Sequence, residues 1–427
     1  MTLTRPNFTK LLLPLTVFCV LLAALALINR GEAPGGGATA DAGAPTGDPV
    51  ADFQRAVRAD PDSAGAWAGL GEAYLGRARA TGDAGFYSRA ERAFAEARRR
   101  DADNLSALVG EGTLAGLRHD FSEQLRLGTA AHALAPGLAR PLTMVADAQV
   151  ELGRYPEAAR TIQRLVDEKP GLAAYARASY LNELEGDRGG AIAAMRLAAS
   201  AGVGSPASSA YVQSLLGDLE LSRGRTAAAR SAYLAALRSL HPYPAALVGL
   251  ARIDAAGGRL GPAARRLRRA AELLPLAPTL TLLADVELAA GRERAARADL
   301  AAARAERRLL RAAGAAPDAE AVLFEAQHGN PRAAVLMGRR VWRAAPSVRS
   351  ADALGWALTR SGRPAAGLNR AKEALRLGSR DPLFRFHAGI AAAAAGRRGA
   401  AADLRIALGG RALLTPLQVR QAREALR

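Results

Sequence analysis

The chain has 427 residues, of which half are hydrophobic, only 5% are aromatic and one is a cysteine. A single cysteine excludes both a disulfide framework and a thiolate zinc site within the chain. A core rich in Ala and Leu, with few rings, favours packed helices over a sandwich or a barrel. The net charge of +18 arises in residues 201–427, which carry 36 basic and 17 acidic side chains. This asymmetry indicates either a surface for an acidic partner or a compositional bias towards arginine.

The N-terminal segment is apolar. An uncharged run from Leu11 to Ile28 follows the basic residues Arg5 and Lys10. Its length of ~27 Å as a helix is close to the hydrocarbon thickness of a bilayer. Residues 1–30 therefore predict a retained signal anchor or, alternatively, a signal peptide that is cleaved near Ala26. We favour the anchor and expect a single-pass cell-membrane protein whose body is extracytoplasmic, with secretion as the alternative.

A repeat follows a short linker. Residues 31–49 are rich in Gly, Ala and Pro and predict a disordered linker. Further on, glycines end successive apolar helical segments, at spacings of 33, 38, 34, 33, 38, 33 and 34 residues: Gly153, Gly186, Gly224, Gly258, Gly291, Gly329, Gly362 and Gly396. A period near 34 residues predicts one helix hairpin per unit. The two longer intervals predict extra residues in the loop at 201–209 and in the second helix after Gly291.

The first complete unit carries the most specific motif. Trp67, Leu70, Gly71 and Tyr74 form W-x-x-L-G-x-x-Y, and A-x-x-x-F follows at positions 90–94. The chain thus resembles the tetratricopeptide-repeat (TPR) family, and in particular membrane-tethered, Ala/Arg-rich TPR proteins of high-GC actinobacteria. The resemblance implies an all-α fold, an α-solenoid forming a right-handed superhelix of about ten TPR hairpins behind an N-terminal transmembrane or signal helix. We assign residues 50–410 to the array and residues 411–427 to a capping helix.

Small residues recur where the two helices of a hairpin must approach closely. They are Gly71, Ala146, Gly217, Ala251 and Gly355. No unit can bury its apolar face alone, so the units must stack to be stable. Two further glycines, Gly338 and Gly367, stand where the family usually has alanine or a larger residue, and they predict looser packing in the eighth and ninth units.

The resemblance implies a concave groove lined by the first helix of each hairpin. The groove positions begin acidic and end apolar, and the charged candidates for binding a peptide are Glu72, Asp147, Glu151, Asp218, Arg252 and Asp285. Acidic residues at successive units would suit a basic or polar extended peptide. The alternative is that they only keep the helices solvated.

The basic residues concentrate on the second helices of the sixth and seventh units. The candidates for a basic convex surface are Arg265, Arg266, Arg268, Arg269, Arg304, Arg307, Arg308 and Arg311. Such a band could bind anionic lipid or an envelope polymer, or it could be an ordinary solvated face. Nucleic acid is an unlikely partner, because aromatic side chains that would stack on bases are absent there.

Catalytic and metal-binding motifs are not visible. The five histidines are scattered without a metal-ligand spacing, and neither a phosphate-binding loop nor G-x-S-x-G is present. We therefore expect no enzyme activity, metal or cofactor. The sequence favours a non-catalytic scaffold that binds a protein or peptide in the groove, with anionic lipid or polymer binding by the convex surface as the alternative.

Overall fold

The computed structural model describes residues 47–202 and 204–427. Within these ranges the chain forms 22 α-helices and one 3-10 helix, and no strand is present. In chain order the helices are α1 (Pro49–Ala59), α2 (Ala64–Thr81), α3 (Gly85–Arg100), α4 (Leu105–Leu117), α5 (Phe121–Leu134), α6 (Ala139–Glu151), α7 (Tyr155–Glu168), α8 (Leu172–Glu185), α9 (Arg188–Ala201), α10 (Pro206–Ser222), α11 (Thr226–Ser239), α12 (Pro244–Ala256), α13 (Leu260–Leu273), α14 (Ala277–Ala289), α15 (Glu293–Ala312), α16 (Ala319–His328), α17 (Pro331–Ala344), α18 (Val348–Arg360), α19 (Pro364–Ala374), α20 (Pro382–Ala394), α21 (Ala400–Gly409), the 3-10 helix Arg411–Leu413 and α22 (Pro416–Glu424).

The helices from α2 to α21 form ten consecutive hairpins. In each hairpin an even-numbered helix packs on the odd-numbered helix that follows it, and each hairpin then packs on the next. Helix α1 packs on α2 as a half unit, and α22 packs on α14, α20 and α21 after the last hairpin. The chain therefore has the TPR-like helical repeat fold that the period predicts.

Glycine allows the closest helix approach in the first hairpin. A Cβ atom added at Gly71 on α2 would lie 2.4 Å from the ring of Phe94 on α3, and Phe94 itself is fully buried. The same arrangement recurs at Gly217, where an added Cβ would lie 2.4 Å from the Tyr233 ring. These contacts confirm that the small residues let large rings of the partner helix fill the hairpin core.

Units eight and nine are tightly packed, so the expectation of looser packing there is wrong. A Cβ added at Gly338 would lie 3.2 Å from both Leu354 and Val322. At Gly367 it would lie 2.7 Å from the carbonyl oxygen of Gly355. These glycines let α17 and α19 pack close to α18, because a Cβ at Gly338 would crowd its neighbours and one at Gly367 would collide with α18.

The extra residues of the two 38-residue intervals between turn glycines lie mainly in helices. Helix α15 has 20 residues, which confirms the predicted extension after Gly291. In the second interval, between Gly186 and Gly224, the extra residues lengthen α10 to 17 residues, and α10 already begins at Pro206. The insertion predicted in the loop at 201–209 therefore falls largely within a helix. Ser205 caps the N-terminus of this helix by accepting a hydrogen bond from the Ser208 amide.

Successive turns of the superhelix contact each other along a seam. The Arg118 Nε donates to the Ala313 carbonyl oxygen at 2.9 Å, and the Val348 amide donates to the Tyr155 hydroxyl at 2.8 Å. Further along, Arg188 donates to the carbonyl oxygen of Arg380 at 2.9 Å. The partners in these bonds are 195, 193 and 192 residues apart, so each point meets the chain between five and six hairpins later. The ten hairpins therefore form nearly two superhelical turns, the second stacked on the first.

The two turns also share a hydrophobic core. One cluster joins Val150, Tyr155 and Tyr180 of the first turn to Val348 and Phe384 of the second, and all five are buried. Burial of side chains from both turns in one cluster stabilises the seam beyond its few hydrogen bonds. The face formed by the first helices is consequently enclosed by the rest of the chain over much of its length.

The membrane location predicted from the sequence is contradicted by the described helices. Across 47–202 and 204–427, none is both long enough and apolar enough to cross a bilayer. Residues 1–30, to which the anchor or signal peptide was assigned, and all but the last three residues of the linker lie outside the described residues.

Candidate binding site

The acidic residue at the centre of the predicted groove is buried and paired. Asp147 on α6 accepts two hydrogen bonds from the Arg177 guanidinium on α8, at 2.8 and 2.6 Å. Both side chains are only 6% exposed. Burial raises the pKa of Asp147, and the adjacent guanidinium acts in the opposite direction. The charge of Asp147 is thus used within the fold.

Three other groove candidates are also bound by neighbouring side chains or backbone. Glu72 forms an ion pair with Arg140 at 2.6 Å. Asp218 accepts a hydrogen bond of 2.6 Å from the Tyr233 hydroxyl, and burial raises the pKa of Asp218 to about 7. Arg252 donates to the Leu413 carbonyl oxygen at 3.1 Å, which ties the sixth unit to the segment after the last hairpin.

The remaining two groove candidates are buried carboxylates. An oxygen of Asp285 lies 3.3 Å from Nε2 of His328, and each side chain is 6% exposed. Glu151 is 8% exposed, and burial raises its pKa although Arg349 acts to lower it. The predicted groove residues therefore line the interior of the two-turn superhelix, and their role in peptide binding stays a prediction.

Four of the eight arginines of the predicted basic surface lie within ion-pair distance of carboxylates of the same chain. Arg266 pairs with Asp254, Arg268 with Glu287 and Arg269 with Glu272. Arg304 and Arg307 both lie over the Phe324 ring. Arg304 donates to the His328 carbonyl oxygen and Arg307 to that of Glu320. Arg307 also lies 3.8 Å from Asp318. Among the described residues, only three of the eight candidates lack a carboxylate or carbonyl partner: Arg265, Arg308 and Arg311.

The neutralising carboxylates form a repeated pattern that the sequence reasoning missed. In units five to seven, a buried acidic residue near the end of the first helix is followed five residues later by an arginine, directly after the turn glycine. The pairs are Glu220–Arg225, Asp254–Arg259 and Glu287–Arg292. Because the arginine begins the second helix, it turns back over the carboxylate that ends the first. The recurring acid-x-x-x-Gly-Arg signal could have identified these pairs.

An arginine-rich cleft lies on the outer side of units eight and nine. We call it the basic cleft and define it by Arg339, Trp342, Arg343, Leu354, Leu358, Arg363, Ala366, Asn369, Arg370 and Glu373. Its volume is about 720 Å³. Helices α17 and α19 form its two walls, and Leu354 and Leu358 of the intervening first helix α18 form an apolar floor.

The cationic groups of the basic cleft have little internal compensation. The Arg370 guanidinium stacks over the Trp342 ring at 4.9 Å, and Arg343 Nε donates to the Arg339 carbonyl oxygen. Glu373 is the one acidic residue of the lining, and it pairs with Arg376 at 2.6 Å. Residues 331–380 carry eleven basic and two acidic side chains, which accounts for half of the net charge of the chain. Unpaired guanidinium groups are therefore concentrated in units eight and nine, beside the three that remain in units six and seven.

No family model matches the chain, and no relative is found among curated proteins. Several solved structures are similar to parts of this chain. The human IFIT1 dimer with PPP-AAAA is 16% identical, with 74% of this chain and 73% of that chain covered and a TM-score of 0.48. The Cut9–Hcn1 hetero-tetramer of the APC/C is 15% identical, with 88% and 81% covered and a TM-score of 0.39. YrrB, described as a TPR protein with an unusual peptide-binding site, is 13% identical, with 52% and 92% covered and a TM-score of 0.25.

Within the part of the chain that the structure describes, no three His, Cys, Asp or Glu side chains are grouped so that they could hold a metal ion. The basic cleft is suited to binding negatively charged groups, because its guanidinium groups, with planar arrays of donors, surround an indole ring and an apolar floor. Such groups bind carboxylates and other oxyanions in bidentate geometry.

Proposed function

We propose that this chain is a non-catalytic binding scaffold that holds an acidic protein segment in the basic cleft. The observation that carries the proposal is the cluster of four arginines, Arg339, Arg343, Arg363 and Arg370, around a cleft whose only carboxylate is already paired. Guanidinium groups here gain more from an external carboxylate than those of units six and seven, which already have internal partners.

The apolar floor favours a protein segment over a uniformly charged polymer. Leu354 and Leu358 are nearly buried at the floor, and the partly buried Trp342 offers most of the surface for an apolar side chain between the arginine walls. An acidic segment with one or two apolar residues would use both features, because apolar contact adds affinity that salt does not screen. A polyanion alone would use only the charge.

The peptide-groove hypothesis is the competing proposal for the same scaffold function. It requires a peptide to reach Asp147, Asp218 or Asp285, each of which lies inside the superhelix with a partner from the same chain. A partner there would have to displace those pairs or open the seam, and either would cost part of its binding free energy. We therefore rank the basic cleft first.

The test is affinity selection of random peptides displayed on phage, with the purified full-length chain as target. We expect enrichment of Asp- and Glu-rich peptides that contain an apolar residue. Synthetic copies of the selected peptides should bind at least ~10-fold more weakly to the Arg339→Glu/Arg343→Glu/Arg363→Glu variant, because each reversal replaces attraction with repulsion.

The matched control is Arg265→Glu/Arg308→Glu/Arg311→Glu, which changes the net charge equally outside the basic cleft. It should retain most of the affinity for the selected peptides. An equal loss in both variants, with binding that disappears at high salt, would indicate a diffuse polyanion surface instead. Selection of basic peptides that are lost on Asp218→Asn would favour the groove.

A further inference from the structure

A second cavity lies inside the superhelix, between its two turns. We call it the inter-turn cavity; its volume is about 220 Å³. The first turn contributes the corner between α4 and α5, with Leu117 and His119, and Glu151 at the end of α6. The second turn contributes Leu276, and Leu310 of α15. The space is partly open to solvent, and a recess with apolar walls and a few polar groups has the general form of a small-molecule site.

Two of the four carboxyl groups that line the inter-turn cavity are already used. Asp318 caps α16 by accepting a hydrogen bond of 2.8 Å from the Ala321 amide, and it lies 3.8 Å from Arg307. An oxygen of Glu320 lies 3.3 Å from the Arg349 guanidinium. These pairs engage the two arginines that are most buried around the cavity.

The other two carboxyl groups, those of Glu151 and Glu306, are poorly compensated. Glu151 is more than nine-tenths buried, and Arg349, the nearest positive charge acting on it, is already bonded to Glu320. The Oε2 atom of Glu306 is buried and has no hydrogen-bond partner in the described part of the chain. Burial raises the pKa of both groups, that of Glu306 to about 7, although Arg307 acts to lower the latter.

The histidine at the edge of the cavity does not supply the missing positive charge. His119 adopts a left-handed backbone conformation, with φ of 62°, and its ring stacks against Phe121. Its Nδ1 atom is buried without a hydrogen bond, and burial lowers its pKa, so the ring is neutral near pH 7. The neutral ring can still accept a hydrogen bond from a donor inside the cavity.

We propose that the inter-turn cavity binds a small organic cation, an amine with an apolar body, whose ammonium group is held by Glu306 and Glu151. The lining has four carboxyl groups but three guanidinium groups, those of Arg307, Arg311 and Arg349, so it can take up one further positive charge. An ammonium group also donates hydrogen bonds to the unpartnered carboxyl oxygen. The apolar walls Leu117, Leu276 and Leu310 would contact the rest of the molecule. A cavity of about 150 Å³ accepts benzene, so one of 220 Å³ can accept a single ring with a short amine chain.

The test compares three probes of similar size by isothermal titration calorimetry on the full-length chain. They are 2-phenylethylamine, the neutral 2-phenylethanol and the anionic 3-phenylpropionate. We expect the amine to bind at least ~10-fold more tightly than the alcohol and the carboxylate not to bind. Glu306→Gln should remove the preference for the amine, while Glu293→Gln, an exposed change on the same helix, should leave it intact.

A cavity-filling variant separates binding at this site from binding elsewhere. Leu310→Trp places a large ring at the cavity wall, and it should abolish amine binding while the helical circular dichroism spectrum is retained. Equal affinity for the amine and the alcohol, no binding of the amine, or amine binding that survives both Glu306→Gln and Leu310→Trp would each overturn the proposal. None of these outcomes bears on the basic cleft, which lies on the outside of the superhelix.

Discussion

The carboxylates on the first helices differ from ordinary surface charges because many of them are buried and partnered. Asp147, Asp254, Asp285 and Glu287 are each at most 5% exposed, and each lies near an arginine or a histidine. A charge removed from water in this way is costly unless its partner stays in place. The residues that look most suited to binding a ligand from their sequence positions therefore contribute to folding.

The pair Asp147–Arg177 provides a direct test of this role. Asp147→Asn leaves the buried Arg177 guanidinium without its carboxylate, so we expect a loss of about 3–5 kcal/mol in the free energy of unfolding. Urea denaturation followed by circular dichroism measures the change. Glu293→Gln, which removes one partner of an ion pair that is 71% exposed on both sides, should change stability by less than about 1 kcal/mol. Equal effects of the two changes would show that the buried pair has no special role.

Asp381 gives the interior a pH dependence. One of its oxygens caps α20 by accepting hydrogen bonds from the Leu383 and Phe384 amides, at 2.6 and 2.9 Å. Burial raises the pKa of Asp381 to about 8, and the Asp352 carboxylate acts in the same direction, while Arg349 opposes it. Burial also raises the pKa of Glu183, and the Asp381 carboxylate acts on it in the same direction.

Because the folded chain keeps this proton to higher pH than the unfolded chain does, stability should fall as the pH rises from about 4 to about 8. Asp381→Asn retains an oxygen that can cap α20 but cannot ionise. It should therefore flatten the fall, by up to ~1.4 kcal/mol per pH unit, when urea midpoints are compared between pH 4.5 and 8. Asp103→Asn in an exposed turn should leave the pH profile unchanged. A profile for Asp381→Asn that parallels the parent would contradict the assignment.

Two glycines of the same helix can differ completely in the space around them. Gly71 and Gly76 both lie in α2, but an added Cβ would collide with Phe94 at Gly71 and would meet nothing within 4 Å at Gly76. Gly71→Ala should therefore destabilise the chain by about 1–3 kcal/mol through overpacking. Gly76→Ala should stabilise it by roughly 0.5–1 kcal/mol, because alanine favours the helix. Thermal denaturation of both variants measures the two signs, and a shared sign would refute the close approach at Gly71.

The hairpins could be predicted from the sequence because their determinants are local. The 34-residue period, the turn glycines and the small residues at Gly71 and Gly217 all act within one unit or between neighbours. Seven of the eight period glycines have the left-handed conformation that ends a helix, and Gly329 does not. The extra residues before Gly224 were harder to place, because a short insertion can lengthen either a loop or a helix at similar cost.

The sites could not be predicted in the same way, because their exposure depends on the superhelix as a whole. Whether a groove position faces solvent follows from the rotation between units, which accumulates over five or six hairpins before the seam closes. The basic cleft could not be distinguished from the predicted basic surface for a related reason. Arginines in units six and seven look equivalent to those in units eight and nine until their buried partners, such as Asp254 and Glu287, are located.

The whole molecule should unfold more cooperatively than an open array, because its two turns support each other. In an open solenoid each unit contacts only its neighbours, so units can fray one at a time. Here Tyr155 at the start of α7 is buried, and its hydroxyl accepts the hydrogen bond from the Val348 amide, 193 residues away. Local opening on either side of the seam should therefore expose the other side.

Tyr155→Phe tests this coupling with a minimal change. The variant leaves the Val348 amide buried without its acceptor, which should cost about 1–3 kcal/mol. Hydrogen exchange followed by mass spectrometry should then show faster exchange both in α7 and at the start of α18, although the two helices are distant in sequence. Gly76→Ala, which lies away from the seam, should leave exchange in α7 and α18 unchanged. Faster exchange confined to α7 would mean that the turns stack without stabilising each other, and the superhelix would then behave as an open array.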